Sequence, residues 1–187
     1  MSSNLIARVL APLVAAAAAL LLAPAGAWAG DSAALERDAR AAYRTLLATV
    51  PAAKSLSGGA TAVLVFPKVT KAGLIVGGQY GDGVLFNKAG KAVGYYNTSG
   101  ASYGLQAGAQ QYGYAMFLMN DKAVAALDAN DGFEVGVGPS VVVVDQGMAK
   151  SVTTTTAQDD IYAFIFGQKG LMAGIGVQGN KITRLKD

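Results

Sequence analysis

The stretch ATAVLVFPKVTKAGLIVGGQYGDGVLFN, residues 60–87, decides the fold, because short apolar runs broken by glycine replace the helix-forming residues that precede it. Its pattern predicts three strands, at residues 60–66, 73–80 and 83–87, joined by turns. Glycine remains frequent beyond it: residues 73–113 contain eleven glycines, well above the average of about 7%. The centre of the chain is therefore predicted to be a β-sheet.

The chain beyond residue 87 continues this pattern. Further strands are predicted at residues 92–98, 102–110, 112–119, 133–137 and 140–144, and residues 153–156 predict a strand or an extended edge. Two apolar runs, residues 161–166 and 171–178, predict a hairpin around residues 167–170, and residues 182–185 predict a short final strand. The dipeptides Asp82-Gly83 and Ala89-Gly90 mark predicted tight turns.

Two helices are predicted, one before and one after the stretch quoted above. The first begins at a cap, Asp31 or Ser32, repeats apolar residues at helical spacing and ends at Pro51. Its basic face could lie on a membrane, but its alanine-rich stripe favours packing on its own domain. The second covers residues 120–129, with Asn120 or Asp121 as its cap. The sequence therefore predicts an α+β fold: a mostly antiparallel curved sheet or partial barrel with an N-terminal helix and one further short helix.

Residues 1–29 have the pattern of a secretory signal peptide. Arg8 is the only charge before an apolar stretch at residues 9–25, and Ala27-Trp28-Ala29 is a small-x-small cleavage site. The apolar run is shorter than the roughly 20 residues of a spanning helix, and two prolines interrupt it, so cleavage is favoured over anchoring. We therefore expect a single domain at residues 30–187, exported to the periplasm, to the outer membrane or to the medium.

The composition excludes several classes of function. The chain has no cysteine and no histidine, which excludes disulfides, lipidation at a lipobox, and Ser-His-Asp or Cys-His catalysis, and removes the commonest zinc ligands. Without Arg8, the 15 Lys and Arg and 12 Asp and Glu leave a net charge of +2, unlike a polybasic nucleic-acid-binding protein. We predict no cofactor, metal, nucleic acid or small-molecule substrate, and catalysis only if Asp, Glu, Lys or Tyr side chains converge in a deep pocket.

A glycine cluster at residues 77–83, GGQYGDG, has the look of a phosphate-binding loop. It lacks the Gly-Lys-Ser/Thr ending of such a loop, and no helix is predicted after it. The four glycines of the cluster are instead predicted to supply positive φ angles or close backbone approach. They are Gly77, Gly78, Gly81 and Gly83. Alanine at Gly78 or Gly81 is expected to lower stability more than ligand binding.

A charge pattern remains within the quoted stretch and just after it. Four lysines fall in two predicted turns: Lys68, Lys71, Lys88 and Lys91. If successive strands are neighbours, both turns lie at the same end of the sheet and Asp82 lies at the other. Such lysines either form a surface that binds anions or simply solvate two turns. Val69, between two of the lysines, is best placed to enter an apolar interface; Phe86 is a weaker candidate because it also fits a core.

Several segments together resemble one known family. They are residues 60–71, 72–78, 80–85 and 104–110, the Gly138-Pro139 pair, and residues 161–175. In this order they are similar to the SYLF domain, a lipid-binding family, and the resemblance covers nearly all of residues 31–187. It implies a domain that is not an enzyme and binds acidic phospholipids, with phosphoinositides the best-known ligands of eukaryotic members. Those members also act on actin together with partner domains.

The export signal makes this chain similar instead to exported bacterial members of the family, for which actin is not an expected partner. Bacterial envelopes offer phosphatidylglycerol and cardiolipin rather than phosphoinositides. The resemblance and the charge pattern together predict binding of anionic phospholipid headgroups at a membrane surface of the cell envelope, through Lys68, Lys71, Lys88, Lys91 and Val69. The alternative is a structural or interaction protein of the envelope, which acts through β-strand pairing or other protein–protein contacts.

Overall fold

A computed structural model describes residues 28–128, 133–134, 141–144 and 159–185. The chain divides into two units, Met1–Gly30 and Asp31–Asp187, and the account below concerns the second. Several sequence-based predictions lie outside the described residues: most of the signal peptide, the strand or edge at residues 153–156, and the Gly138-Pro139 pair.

Two consecutive helices precede the sheet. Helix α1 spans Trp28–Thr49 and therefore begins before the predicted cap; helix α2 spans Pro51–Ser57 and was not predicted. Pro51 separates them as expected: it forces the preceding Val50 into an extended conformation, with φ −122° and ψ 100°. The same proline then occupies the first turn of α2, where its missing N–H costs nothing. A proline that ends one helix can therefore begin the next.

Three long strands form most of the sheet. They are β1 (Ala62–Asn87), β2 (Ala92–Leu118) and β5 (Ile161–Arg184), each paired antiparallel with its neighbour in that order. Between β2 and β5 lie helix α3 (Asp121–Leu127) and two short strands, β3 (Phe133–Glu134) and β4 (Val141–Val144). Within the described residues, β3 pairs antiparallel with β5 and β4 pairs parallel with it, so β1 is an edge strand.

The prediction of separate short strands is wrong, because three of the predicted turns lie inside continuous strands. Pro67 and Lys68 sit in a bulge, marked by a register shift between Phe66 and Val69. On an edge strand, a bulge accommodates a proline without breaking the ladder. Asp82-Gly83 also lies within β1, paired with Asn97 and Tyr96.

The predicted hairpin around residues 167–170 is also a bend within one strand. Gly167 and Gly170 have φ angles of +60° and +93°, which only glycine adopts readily, and they redirect β5 without reversing it. The turn predicted at Ala89-Gly90, by contrast, is confirmed: β1 and β2 are joined there, and Gly90 has φ +74°. The predicted helix near residue 120 is confirmed as α3, with the Asn120 side chain accepting a hydrogen bond from the Ala123 N–H at 2.9 Å.

Strand β1 doubles back on itself at residues 73–77. A Cβ added to Gly73 would collide with the backbone of Gly77, and one added to Gly81 would lie 2.8 Å from the Lys68 carbonyl oxygen. Residues 62–72 therefore form a first arm and residues 78–87 a second arm that lies against it. We call the region of residues 73–77 the bend end, and the opposite end, which holds the start of β1 and its connection to β2, the open end.

The buried residues form two clusters. The first packs α1 and α2 on the sheet and includes Leu46, Leu56, Val65, Phe86, Phe117 and Phe164. The second joins both arms of the sheet to α3 and includes Leu64, Phe66, Tyr96, Met116, Leu127 and Ile182. The predicted α+β class with a curved, antiparallel sheet is therefore confirmed; the sheet is not closed, and three helices are described rather than two.

A polar chain also links the long strands just behind the bend. The Tyr112 hydroxyl donates to Gln79 Oε1 at 3.0 Å, and Gln79 Nε2 donates to Asn180 Oδ1 at 2.6 Å. Burial raises the pKa of the Tyr112 phenol, so this hydroxyl stays protonated and remains a donor at neutral pH. One side chain from each long strand thus contributes to the link.

The glycines of the second arm can be tested individually. Gly81→Ala places a Cβ 2.8 Å from the Lys68 carbonyl oxygen and 3.0 Å from Val69 Cα, so we expect it to lower the free energy of unfolding by about 1–3 kcal/mol. Gly78→Ala is the matched control, because its Cβ would meet nothing closer than the Gly100 carbonyl oxygen at 3.8 Å. The prediction that Gly78 allows a close backbone approach is therefore wrong. Urea titration measures both variants; equal stabilities would contradict the close-approach argument.

Candidate functional site

The four lysines singled out from the sequence fall into two pairs. Lys88 lies in the connection between β1 and β2, and Lys91 closes it, so both are at the open end. Lys68 lies in the bulge of the first arm, and Lys71 lies further along that arm, opposite Gln110 of β2. The prediction that all four share one end of the sheet is wrong, because residues 67–71 continue the strand instead of reversing it.

The separation of the two pairs can be measured along β1. The Lys68 carbonyl packs against Gly81 of the second arm. Lys88 follows Gly81 by seven residues, which corresponds to about 23 Å of extended strand. Lys71 lies further still towards the bend, so no single small ligand can contact both pairs.

Val69 does not face solvent. It is 1% exposed and packs in the second core cluster with Phe66. The bulge interrupts the alternation of faces here: Lys68, inside it, is exposed, while Phe66 and Val69 on either side are both buried. The prediction that Val69 enters an interface is therefore wrong, and Phe86, at 4% exposure, is also a core residue.

A pocket of about 190 Å³ lies at the open end, between α1 and the β1–β2 connection. Its polar lining comes from α1, from α2 and from that connection: Arg40, Tyr43, Arg44, Ser57, Asn87 and Lys88. Ala60, Val63 and Phe86 add an apolar wall. Within the described part of the chain, none of the residues that line the pocket is acidic.

The two arginines share one side of α1 because they are four residues apart. Nε and Nη2 of Arg40 both donate to Glu36 Oε1, at 3.0 and 2.7 Å. The Arg40 guanidinium also lies 4.7 Å from the centroid of the Phe86 ring, a cation–π distance that ties α1 to the end of β1. Arg40 is thus held by the protein, whereas Arg44 is exposed at the rim of the pocket.

The third cation, Lys88, is positioned by the turn between β1 and β2. Asn87 Oδ1 accepts from the Ala89 N–H at 3.1 Å and from the Lys91 N–H at 2.9 Å. The Gly90 N–H donates to the Asn87 carbonyl at 2.8 Å, and the positive φ of Gly90 closes the turn. The backbone of Lys88 is therefore fixed beside α1, while its side chain is exposed.

Two hydroxyls complete the pocket. Burial raises the pKa of the Tyr43 phenol, and a hydrogen bond with Ser57 offsets part of that rise. Tyr43 is therefore neutral at ordinary pH and acts as a hydrogen-bonding group. Three cations, two hydroxyls and an apolar wall match a phosphodiester or phosphomonoester attached to a carbon skeleton, because guanidinium groups pair closely with phosphate oxygens.

Sequence inspection had indicated only part of this site. It had singled out Lys88 and Lys91, but Arg40, Tyr43, Arg44 and Ser57 were missed as site residues. The spacing of the arginines on the predicted helix was the available signal, and it could not show which part of the sheet the helix covers. Lys91 closes the turn and does not line the pocket.

Comparison with known proteins identifies the second half of the chain. A family model described as "Ysc84: Las17-binding protein actin regulator", which is the SYLF family, matches residues 99–187. Residues 99–187 are therefore similar to the SYLF family. The resemblance inferred from the sequence is thereby confirmed over residues 99–187. No curated protein matches the chain.

The SYLF match begins within β2 and runs to the end of the chain. The pocket residues on α1, α2 and the β1–β2 connection precede it, so the match gives no information about them. Two further properties concern only the described residues. Their helices include none that is both long and apolar enough to cross a membrane. Their acidic side chains form no group of three suited to a metal ion.

The turn that carries Lys88 depends on one side chain. Asn87→Ala removes the acceptor of two backbone N–H groups, so we expect the free energy of unfolding to fall by about 1–3 kcal/mol at roughly 0.5–1.5 kcal/mol per hydrogen bond. Asn87→Asp keeps an accepting oxygen at the same position and is the matched control. Chemical denaturation compares the two; a variant with alanine as stable as one with aspartate would show that the side chain does not hold the turn.

Proposed function

We propose that the protein binds the headgroups of anionic phospholipids at the cell envelope. The observation that carries this proposal is the pocket at the open end, with Arg40, Arg44 and Lys88 around an opening of about 190 Å³. Phosphatidylglycerol and cardiolipin present a phosphodiester with glycerol hydroxyls. Such a group needs cations for the phosphate and hydroxyls for the glycerol, and the lining provides both.

The free energy available from long-range electrostatic attraction is too small to explain membrane binding by itself. A cation near an anionic membrane contributes about 1 kcal/mol, so Arg44 and Lys88 together give about 2 kcal/mol, which is weaker than millimolar binding. Hydrogen bonds to a charged phosphate contribute about 1.5–3 kcal/mol each when they are shielded from water. Direct contact inside the pocket is therefore needed for useful affinity, and this supports headgroup recognition over diffuse attraction.

The SYLF family, known for lipid-binding and actin-regulating domains, supplies a second candidate. The description of the matched family model names an actin regulator, and that description favours actin as a partner. The predicted signal peptide opposes it, since an exported protein leaves the compartment in which a cell keeps its actin. Sedimentation with filamentous actin separates the two candidates: pelleting with actin but not with anionic vesicles would favour regulation of actin.

Strand pairing with another chain is opposed by the edge of the sheet. Strand β1 lies at that edge, and it carries Pro67, a bulge and the exposed Lys68 in its first arm. Proline, bulges and lysine are devices by which edge strands avoid pairing. We therefore propose binding to lipid rather than to a protein strand.

We also propose binding without catalysis. The chain has no histidine or cysteine, the side chains most often used as base or nucleophile near neutral pH. The ionisable groups around the pocket are three cations and a buried phenol, which bind an anion but offer no pair of acid and base.

Charge reversal tests the pocket. We expect Arg44→Glu with Lys88→Glu to reduce sedimentation with phosphatidylglycerol vesicles at least tenfold at low ionic strength, where exposed charges are least screened. Arg37→Glu with Lys54→Glu is the matched control, because it makes the same change in net charge at exposed positions that do not line the pocket. Equal losses from both pairs would mean that net charge, and not the pocket, governs binding. Wild-type binding that is the same on neutral vesicles would sink the proposal.

Export provides a separate prediction. We expect the protein isolated from the envelope or the medium to begin at Gly30, because Ala27-Trp28-Ala29 is the cleavage site indicated by the sequence. Intact-mass spectrometry measures the N-terminus directly. A mass that still includes residues 1–29 would contradict cleavage.

A further inference from the structure

The bend end of the sheet exposes aliphatic side chains. Leu74 is 74% exposed and Val76 is 63% exposed, the two highest values among the large hydrophobic side chains that are exposed in the described residues. Ala107 of β2 is the backbone partner of Leu74 and is exposed as well. The apolar surface is therefore shared by two neighbouring strands and is not a single stray side chain.

The segments that form this end of the sheet contain no Asp or Glu. The bend segment, defined by its backbone pairing as residues 71–79 of β1, 100–111 of β2 and 169–180 of β5, contains two charged residues, Lys71 and Lys169. Lys71 pairs with Gln110 and Lys169 with Gln111, so the two lysines flank β2 on either side. The exposed Lys68 lies just before Lys71 on the same arm.

We call the exposed side chains of Leu74 and Val76 the tip. The lysines are set back from this tip by a distance suited to a membrane interface. Lys71 and Leu74 are three positions apart along β1, which is about 10 Å of strand. Apolar side chains of interfacial proteins enter the headgroup and acyl boundary by about 5–10 Å, while lysines remain at the level of the headgroups. The occupant that fits an apolar tip with a cationic base is therefore the surface of an anionic bilayer.

The tip and the pocket lie at opposite ends of the second arm. Val76 and Lys88 are twelve residues apart, up to about 40 Å of extended strand. We propose that the bend segment is a second membrane contact, which inserts Leu74 and Val76 into an anionic bilayer, so that one molecule holds two bilayers at its two ends. The tip contact stands on its own, whereas the bridging rests on the proposed function of the pocket.

Vesicle clustering tests this inference with the exported protein as purified. The probe is vesicles of phosphatidylcholine with phosphatidylglycerol; sedimentation measures binding, and light scattering measures clustering. We expect the wild type to bind and to cluster these vesicles. Leu74→Ser with Val76→Ser keeps the pocket, so we expect it to bind but not to cluster. Val93→Ser with Ile165→Ser removes two exposed aliphatic side chains outside the bend segment and is the matched control, expected to cluster like the wild type.

The affinity of the tip for vesicles is measured in a variant whose pocket cations are replaced by glutamate. We expect the Arg44→Glu and Lys88→Glu variant to retain binding through the tip without clustering. Adding Leu74→Ser and Val76→Ser to it should lower this remaining binding at least tenfold, about 1.4 kcal/mol. Because all four positions are exposed, circular dichroism and urea titration are expected to show unchanged folding.

The outcomes distinguish the membrane contact of the tip from lipid binding in the pocket. If the tip substitutions change neither clustering nor the remaining binding, the tip inference is overturned while pocket binding stands. If the pocket substitutions change nothing and the tip substitutions abolish all binding, the pocket proposal fails and the tip contact stands without bridging. If the wild type binds without clustering, the bridging is overturned. Sedimentation velocity without lipid addresses a second copy of the chain as the occupant: a dimer dispersed by Leu74→Ser and Val76→Ser would overturn the lipid contact.

Discussion

The close approach of the two arms of β1 constrains everything that is built on the sheet. At Gly81 and Gly83 a side chain would meet the backbone or the core of the first arm, so the second arm lies closer than any other residue would permit. With the arms held together, the start of β1 and the β1–β2 connection come to the same end, and α1 can cover both. The pocket exists because Phe86 of one arm and Val63 of the other contact the same helices.

The sequence predicted best the features that depend on a few neighbouring residues. The Asn120 cap, the turn at Ala89-Gly90 and the interruption at Pro51 each follow from the chemistry of one short segment. The alternation of apolar residues also indicated a β-rich centre and an α+β class. The lengths of the strands could not be predicted, because whether Pro67 or Gly167 reverses a strand or only bends it depends on the register of the neighbouring strand. A bulge on an edge and a turn have similar residues.

The site could also be predicted only in part, because it depends on how distant segments pack together. Lys88 was indicated as a candidate because turns expose their side chains, and the structure places it at the pocket. The helix pattern indicated the exposed face that holds Arg44, but only the packed fold brings that face beside the turn. Val69 was assigned to the wrong side because the prediction treated its segment as a turn; in the structure the strand continues past the bulge and Val69 joins the core beside Phe66. These errors therefore arose from strand pairing, which the sequence does not show.

The Tyr112–Gln79–Asn180 link has a mechanical consequence. It joins the three long strands just behind the bend, so none of them can slide past its neighbours there without breaking a partly buried hydrogen bond. Sliding one long strand against its neighbour near the bend would have to break this link together with the backbone hydrogen bonds around it, which share the load in parallel. Strands loaded in this direction resist extension far better than a hairpin peeled from its ends. The fold is therefore suited to bearing tension along its length.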